Sequence, residues 1–349
     1  MPPKVSIIIV NYNGLKSLGN LLFKCLDSAF NLDYPDYEVI IVDNASTDGS
    51  REAILDRYRG DAKIILSNRN RGFTGGNNLG YKYCDPKSKY IVLMNPDFIA
   101  YSDSLKIMVK YMEENPSVGE LQGILLWMRN PKRIENAGAF VDHFCYVITR
   151  YPMEPLNEYP ERESYVSYTN GAYMILRRSI IRESLIFPED FFLYYDDVEL
   201  GLRLWTYSYK ALVIPHPLGE HYSGAITKGS KNPLVLYCDT RNRLTLVKTL
   251  WTKFPRLRQL LPFTMLRNML KSYDRIYLLG FIHGLSKASY TMKLGEAYPL
   301  MIVPILSFKH IKALFMGRIS YNTLKKTFVN KEQLKQTSTP YMIPYKFST

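Results

Sequence analysis

"VSIIIVNYNG", residues 5–14, and "YEVIIVDNASTDGS", residues 37–50, decide the fold. Each is an apolar run of strand length that stops abruptly in polar, turn-forming residues. Each is then followed by a helix-like stretch, one reaching about Ser28 and the other being "STDGSREAILDRY" (46–58). The pattern repeats with "AKIILS" (62–67) and closes with "KYIVLMN" (89–95). Runs buried on both faces and separated by helical patterns make a parallel sheet of βαβ units. Ligands on such sheets bind beyond the carboxyl ends of the strands. Those ends carry "NYNG" (11–14), "DNASTD" (43–48), "NRNRGFTGGNN" (68–78) and "NPD" (95–97), four polar clusters converging on one edge.

The chain of 349 residues is long enough for a full core and a second region, and 46% hydrophobic with 22% charged content is ordinary for a folded protein. Cys25, Cys84, Cys145 and Cys238 lie far apart with no C-x-x-C pair. That excludes a zinc framework or a disulfide scaffold and fits a reducing compartment. Charge divides the chain. Residues 241–349 hold 19 Lys and Arg against Asp274, Glu296 and Glu332, a net +16, whereas residues 1–240 hold 26 against 29, a net −3. We therefore expect a domain over 1–235 and a basic, largely helical region over 236–349 that opens with "LVLYCDTRNRLTLVKTLW" (234–251). No secretory signal is expected, because "MPPK" runs straight into the first strand. The most apolar stretch, "AYPLMIVPILSF" (297–308), contains two prolines and falls short of the ~18–20 residues of a membrane span.

Asp43 ends a buried strand opposite Asn11 and Tyr12, where a carboxylate can accept from a nucleobase while the tyrosine stacks on it. The plainer alternative is a capping carboxylate, and Ser46 or Thr47 could also cap the next helix. "RGFTGGNNLG" (71–80) reads as a glycine-rich loop that is neither G-x-G-x-x-G nor a P-loop. Arg71, beside backbone bared by Gly72, Gly75 and Gly76, suits a diphosphate; a simple turn is the alternative. Asp97 sits on a proline-fixed corner suited to a divalent cation, or else closes an Asx-turn. His221 follows the apolar run "KALVIP" (210–215) and can close a metal shell, where imidazole suits Mn²⁺ better than Mg²⁺.

"FFLYYDDVELGLRL" (191–204) sets two aspartates behind an aromatic wall. Asp196-x-x-Glu199 matches a capping box, and Glu199 with Arg203 makes an i, i+4 pair. Asp197 falls on the helix face of Leu200, Gly201 and Leu204, the side expected to be buried. Burial raises its pKa while the helix start lowers it, and such a balance suits a general base near neutral pH. Asp196 is mainly punctuation, with a secondary claim to the chemistry.

Taken in order, "VSIIIVNYNG", "VDNASTDGS", "RGFTGGNNLG", "LMNPD", "NGAYMILRRS" and "YYDDVELGLRL" resemble the family-2 inverting glycosyltransferases of GT-A fold, nearest the rhamnosyltransferase-like branch. The resemblance covers about residues 4–250. It implies an α/β fold with a mostly parallel, Rossmann-like sheet flanked by helices. Asn11, Tyr12 and Asp43 then match positions that hold the nucleobase, and Arg71, Gly75 and Asn78 match the loop near the nucleotide. Asp97 matches the last aspartate of the family's Asp-x-Asp, with Asn95 in place of the first, so a Mg²⁺ or Mn²⁺ ion rests on Asp97 and His221. Asp197 matches the catalytic base of the acidic pair, and Asn170 and Gly171 the loop before the acceptor side, which Tyr195 of the aromatic wall also faces. The Q-x-x-R-W of processive synthases is missing, which implies transfer of one sugar. The donor implied is a dTDP- or UDP-sugar, rhamnose-like among the choices, and the acceptor a glycan or lipid-linked glycan. Alternatives are a non-catalytic scaffold on the same fold and a sugar nucleotidyltransferase. Basic residues interleaved with Leu, Phe, Ile, Met and Tyr beyond residue 250 fit amphipathic helices on an anionic membrane. The expected location is cytoplasmic, on the inner face of the cell membrane, with no nucleic-acid partner.

Overall fold

A computed structural model describes residues 2–142, 144–159, 162–181, 185–224, 232–253, 275–286, 293–295 and 302–303. Valine and isoleucine dominate the first strands, and β-branched side chains favour the pleated backbone. β1 (Val5–Asn11) lies between β2 (Tyr37–Asp43) and β4 (Tyr90–Met94), parallel to both, and β3 (Lys63–Leu66) extends the sheet beyond β2. Successive β1 residues feed opposite cores. Ile7 and Ile9 join a cluster with Leu22, Leu105 and Met108, while Ile8 joins one with Tyr81, Leu200 and Leu204. Burial on both faces is why the run shows no polar alternation.

Past β4 the sheet turns mixed. β11 (Tyr173–Arg177) runs antiparallel to β4 and to β6 (Val118–Trp127). β12 (Lys210–His221) pairs parallel with β6, and β10 (Ser164–Val166) closes that edge antiparallel. The order β10-β12-β6-β11-β4-β1-β2-β3 is joined by β5 (Phe98–Ala100) on β12 and β7 (Asn130–Asn136) on β6, ten strands in all among the described residues. A second sheet carries β8 (Ala139–Asp142) between β9 (Val147–Thr149) and β13 (Ile302–Val303). Helices α1 (Gly14–Leu18), α2 (Leu21–Ser28), α3 (Ser50–Tyr58), α4 (Gly72–Tyr81) and α5 (Ser104–Glu114) connect the first strands. This is an α/β architecture in which β1–β4, β6 and β12 run in one direction, as the resemblance to the GT-A fold implies.

Three expectations need correction. The stretch 71–80 is not a loop, since Gly72–Tyr81 forms α4. Glycine costs about 1 kcal/mol per residue in a helix interior, but here close approach outweighs propensity. A Cβ on Gly80 would lie 2.5 Å from the Ile8 side chain, so only glycine lets α4 sit this near β1. Next, α3 starts after Gly49, whose φ is 89°, and neither Ser46 nor Thr47 caps it. Ser46 instead ties back to β1: its Oγ accepts from the Asn13 N–H at 3.0 Å and from Asn11 Nδ2 at 3.1 Å.

The third correction concerns the boundary at 235/236. It falls inside α7 (Pro233–Lys253), which packs on the sheet domain instead of standing apart. Leu246, Val247 and Leu250 share a core with Ala139, Val141, Phe191 and Val198. α8 (Arg275–Ser286) lies against α7, and the nearest α7 backbone would stand 2.8 Å from a Cβ on Gly280 or Gly284. No helix among the described residues is long and apolar enough to cross a membrane. Most of the basic tail lies outside the described residues.

Candidate active site

Register places Asn11 directly beside Asp43 at the ends of β1 and β2. Asn11 Nδ2 donates to Asp43 Oδ1 at 3.3 Å, and Asp43 Oδ2 accepts from the Ser46 N–H at 3.1 Å and from Arg51 Nε at 3.0 Å. Both Asn11 and Asp43 are fully buried, and Asn11 Oδ1 has no hydrogen-bond partner among the described residues. Tyr12, next in the chain, is half-buried. The Arg51–Asp43 pair is a feature that sequence reading missed. It had a signal, since Arg51 stands in the first turn of the helix that β2 feeds.

Arg71 stands at the N-terminus of α4, half-buried, with its backbone N–H on Asn44 Oδ1 at 2.9 Å and its Nε on Ser67 Oγ at 3.1 Å. Gly75 stacks over the Arg71 side chain, whose Cβ would be 2.7 Å from an added methyl. Asn78 departs from expectation. It is fully buried, its Nδ2 donates to the Phe187 carbonyl at 2.8 Å, and its Oδ1 accepts from the Ile186 and Phe187 N–H groups at 2.9 and 3.1 Å. With both ends of its amide spent on backbone, Asn78 pins the 186–187 segment and is not free for a nucleotide.

Asp97 and His221 do meet. The β4–β5 corner and the end of β12 bring Asp97 Oδ1 and His221 Nε2 to 3.2 Å, both side chains buried. On the far side of the ring, Nδ1 lies 3.3 Å from Glu135 Oε2 of β7, a residue that sequence reasoning missed. Burial works to lower the imidazolium pKa, but Asp97 and then Glu135 overcome it and hold it at about 10. Asn95 is half-buried, and its N–H donates to the Ala172 carbonyl at 2.8 Å. Among the described residues no three ligating side chains form a ready-made metal cage. A hard cation held by one or two protein ligands and completed by substrate phosphates needs none. At neutral pH Asp97 and His221 form a buried ion pair, and a cation would have to displace the imidazolium proton before Nε2 could bind beside the Asp97 oxygen; the Glu135 carboxylate behind the ring is an outer partner common to metal-bound imidazoles.

The acidic pair opens α6 (Asp196–Thr206). The capping box does not form. The N-cap is Tyr195, in left-handed conformation with φ 63°, and it makes no side-chain cap bond. Glu199 turns instead to Arg203 at 2.7 Å, buried, as the i, i+4 spacing predicted, and Arg203 also reaches the Ile186 carbonyl at 2.6 Å. The face assignment of Asp197 is also revised. α6 is covered on all sides, every residue but Asp197 being buried, so Asp197 is the single partly open position on the helix. Its carboxylate accepts from the Val198 N–H at 2.8 Å and is approached by the Gly171 N–H. Burial raises its pKa to about 6 despite these donors. Asp196 is driven much higher, by burial first and then by the charge of Asp197. Both carboxyls are thus pushed up, Asp196 further than Asp197, and the pair titrates as a unit.

Gly171 lies beside the acid, and Asn170 precedes it in the chain. Asn170 Oδ1 accepts from the Ala172 N–H at 2.8 Å, and its own N–H donates to Gln122 of β6. The preceding Thr169 N–H donates to Glu120 at 2.9 Å, a fully buried carboxyl that burial pushes up to about 8. Glu120 and Gln122 thus brace the segment from behind, another role hidden in an apolar strand. Tyr195 turns inward: its hydroxyl donates to the Cys145 carbonyl at 2.8 Å within a hydrophobic cluster. The parts join through direct contacts. Arg71 reaches Asn44 beside Asp43, the Thr74 N–H of α4 donates to the Phe192 carbonyl, and Asn95 touches Ala172 next to Gly171 and Asp197.

Comparison with known proteins bears on the family and the fold. The model of glycosyl transferase family 2 matches residues 6–185. The bifunctional glycosyltransferase pgtA of Dictyostelium discoideum is 31% identical over 130 residues, 36% of this chain and 16% of that protein. The poly(ribitol-phosphate) beta-glucosyltransferase of Bacillus spizizenii is 35% identical over 130 residues, 35% of this chain and 19% of its own. This chain thus spans less than a fifth of the length of either relative. Among solved structures, GalNAc-T7 with UDP, GalNAc and Mn²⁺ superposes with a TM-score of 0.58 at 15% identity, over 80% of this chain and 54% of that one. At that identity the likeness speaks to the fold alone.

Proposed function

The chain belongs to glycosyl transferase family 2, and from that premise we propose that it moves one sugar from a nucleotide-diphosphate sugar to a hydroxyl of a glycan or lipid-linked acceptor, with inversion. The observation that carries this reading is Asp197, the one open residue of a buried helix, lying against the Gly171 N–H. As a carboxylate it takes the proton from the acceptor hydroxyl. That oxygen bonds to the anomeric carbon from the face opposite the diphosphate, and the C–O bond to phosphate breaks with its electron pair leaving on the nucleotide. Asp43 and Asn11 meet the base, Tyr12 stacks on it, and Arg71 forks onto the phosphates. Asp97 and His221 would hold a divalent cation, which neutralises charge on the departing diphosphate when bound. A dTDP- or UDP-sugar, rhamnose-like among the choices, remains the proposed donor. Docking of the basic tail on the inner face of an anionic membrane, beside a lipid-linked acceptor, belongs to the same proposal.

The test is a panel of dTDP-, UDP- and GDP-sugars screened by thermal shift with and without Mn²⁺, followed by assay of nucleoside diphosphate release. A ligand of the native state raises its melting temperature, so one donor class should stabilise the chain and do so more with Mn²⁺. No shift with any sugar nucleotide would count against the whole assignment. Exchange of pyrophosphate with a nucleoside triphosphate would instead favour a nucleotidyltransferase.

A further inference from the structure

The segment just before the acidic pair is bent in an unusual way. Phe192, Tyr194 and Tyr195 have φ of 65°, 64° and 63°. The left-handed region disfavours any residue with a Cβ, and bulky aromatics adopt it only where surroundings impose it. Two elements remote in sequence do so. From α4, the Thr74 N–H and Oγ1 donate to the Phe192 and Glu189 carbonyls at 3.2 and 3.1 Å. Gly72, itself at φ 68°, leaves room for the Phe192 carbonyl, which would stand 2.2 Å from a Cβ there.

From α7 the grip is tighter. Asn242 is fully buried, and the two hydrogens of its Nδ2, one of them shared, serve three carbonyls of the loop: Phe191 at 2.8 Å, Leu193 at 3.0 Å and Tyr194 at 2.8 Å. Its Oδ1 accepts from Arg241 Nε at 2.9 Å, which turns the NH₂ face toward the loop. Arg241 adds its own bonds to the Asp190 and Phe191 carbonyls at 2.8 and 2.9 Å. The loop then delivers the chain into α6 through the Tyr195 carbonyl, which accepts from the Glu199 N–H at 2.9 Å, two residues from Asp197 on either side.

We propose that Asn242 is a positioning residue: its amide, oriented by Arg241, holds the left-handed loop 191–195 in the conformation that aims Asp197 at the acceptor hydroxyl. The proposal rests on Asp197 being the base. It gives α7, which lies beyond the stretch matched by the family model, a part in the reaction without contact to substrate.

Asn242→Asp keeps the size of the side chain and an oxygen for Arg241 but removes both donors. In the full chain, assayed with the sugar nucleotide the panel selects, it is expected to lower kcat at least 30-fold with the donor KM within threefold. Amides of 191–198 should exchange with D₂O at least tenfold faster. Adding Tyr194→Gly should recover at least tenfold in kcat, because glycine adopts positive φ without the steric cost. Retention of kcat within threefold in Asn242→Asp overturns the proposal, as does loss of kcat with unchanged loop exchange. Should Asn242→Asp not fold, the double variant decides: a folded, active protein supports the latch, and a misfolded one shows that the amide holds the body of the fold and not the loop. Full activity of Asp197→Asn would remove the base assignment while leaving the exchange result standing, so the two failures are separable.

Discussion

Asp197→Asn is expected to cut turnover by ~10²–10⁴-fold, the usual worth of a positioned general base, with donor affinity nearly unchanged. Asparagine fills the same space and still accepts from the Val198 N–H, so the start of α6 is preserved. In the unaltered protein the same carboxylate sets the acid limb of the pH–rate profile. Its pKa in the ligand-free protein is about 6, so kcat/KM should level off above neutrality and fall about tenfold per pH unit below 6. Stability moves the other way. A carboxyl whose pKa rises from 3.8 to about 6 on folding binds its proton more tightly in the native state, so its contribution weakens as pH climbs between those values. A kcat/KM profile flat from pH 5 to 8 would leave Asp197 without its role.

Asp97→Asn is the second large effect. Removing the carboxylate from the proposed cation pair takes away several kcal/mol of charge stabilisation, ~10³-fold in rate even at saturating Mn²⁺. His221→Ala should behave alike in a Mn²⁺ titration. Glu135→Gln, one shell out, should weaken Mn²⁺ affinity by ~10–100-fold while leaving the saturated rate closer to normal. Isothermal titration of Mn²⁺ into the UDP-saturated protein reads these affinities without turnover. Unaltered Mn²⁺ affinity in Asp97→Asn would move the cation elsewhere.

Much of this architecture was legible in the sequence. β1, β2 and β4 follow from doubly buried apolar runs, and the polar tips at Asn11, Asp43 and Asp97 follow from where those runs stop. What escaped did so for physical reasons. α4 hid behind its glycines, because propensity speaks for an isolated helix while Gly80 answers to Ile8 across a tight interface. Asn78 looked like a ligand for a nucleotide until the 186–187 backbone, more than a hundred residues away, claimed both its ends. Periodicity could not orient Asp197, since a helix buried all round has no single buried face. Glu120, Gln122 and Glu135 are polar residues within strands whose partners appear only once the strands are paired. Charge drew the boundary at 235/236, whereas packing carries the domain through α7: Arg241, Asn242 and Arg243 look like part of a basic tail, yet they spend their side chains on loop carbonyls and, for Arg243, on the Tyr146 ring 4.1 Å away.

Diffraction at the manganese edge, from crystals grown with UDP and Mn²⁺, is the most direct test of the convergence on which the account stands. The expected result is one anomalous peak in coordination contact with Asp97 and His221, uracil beside Asn11 and Asp43, and the diphosphate running toward Asp197. A peak away from Asp97, or uracil seated elsewhere, would contradict it.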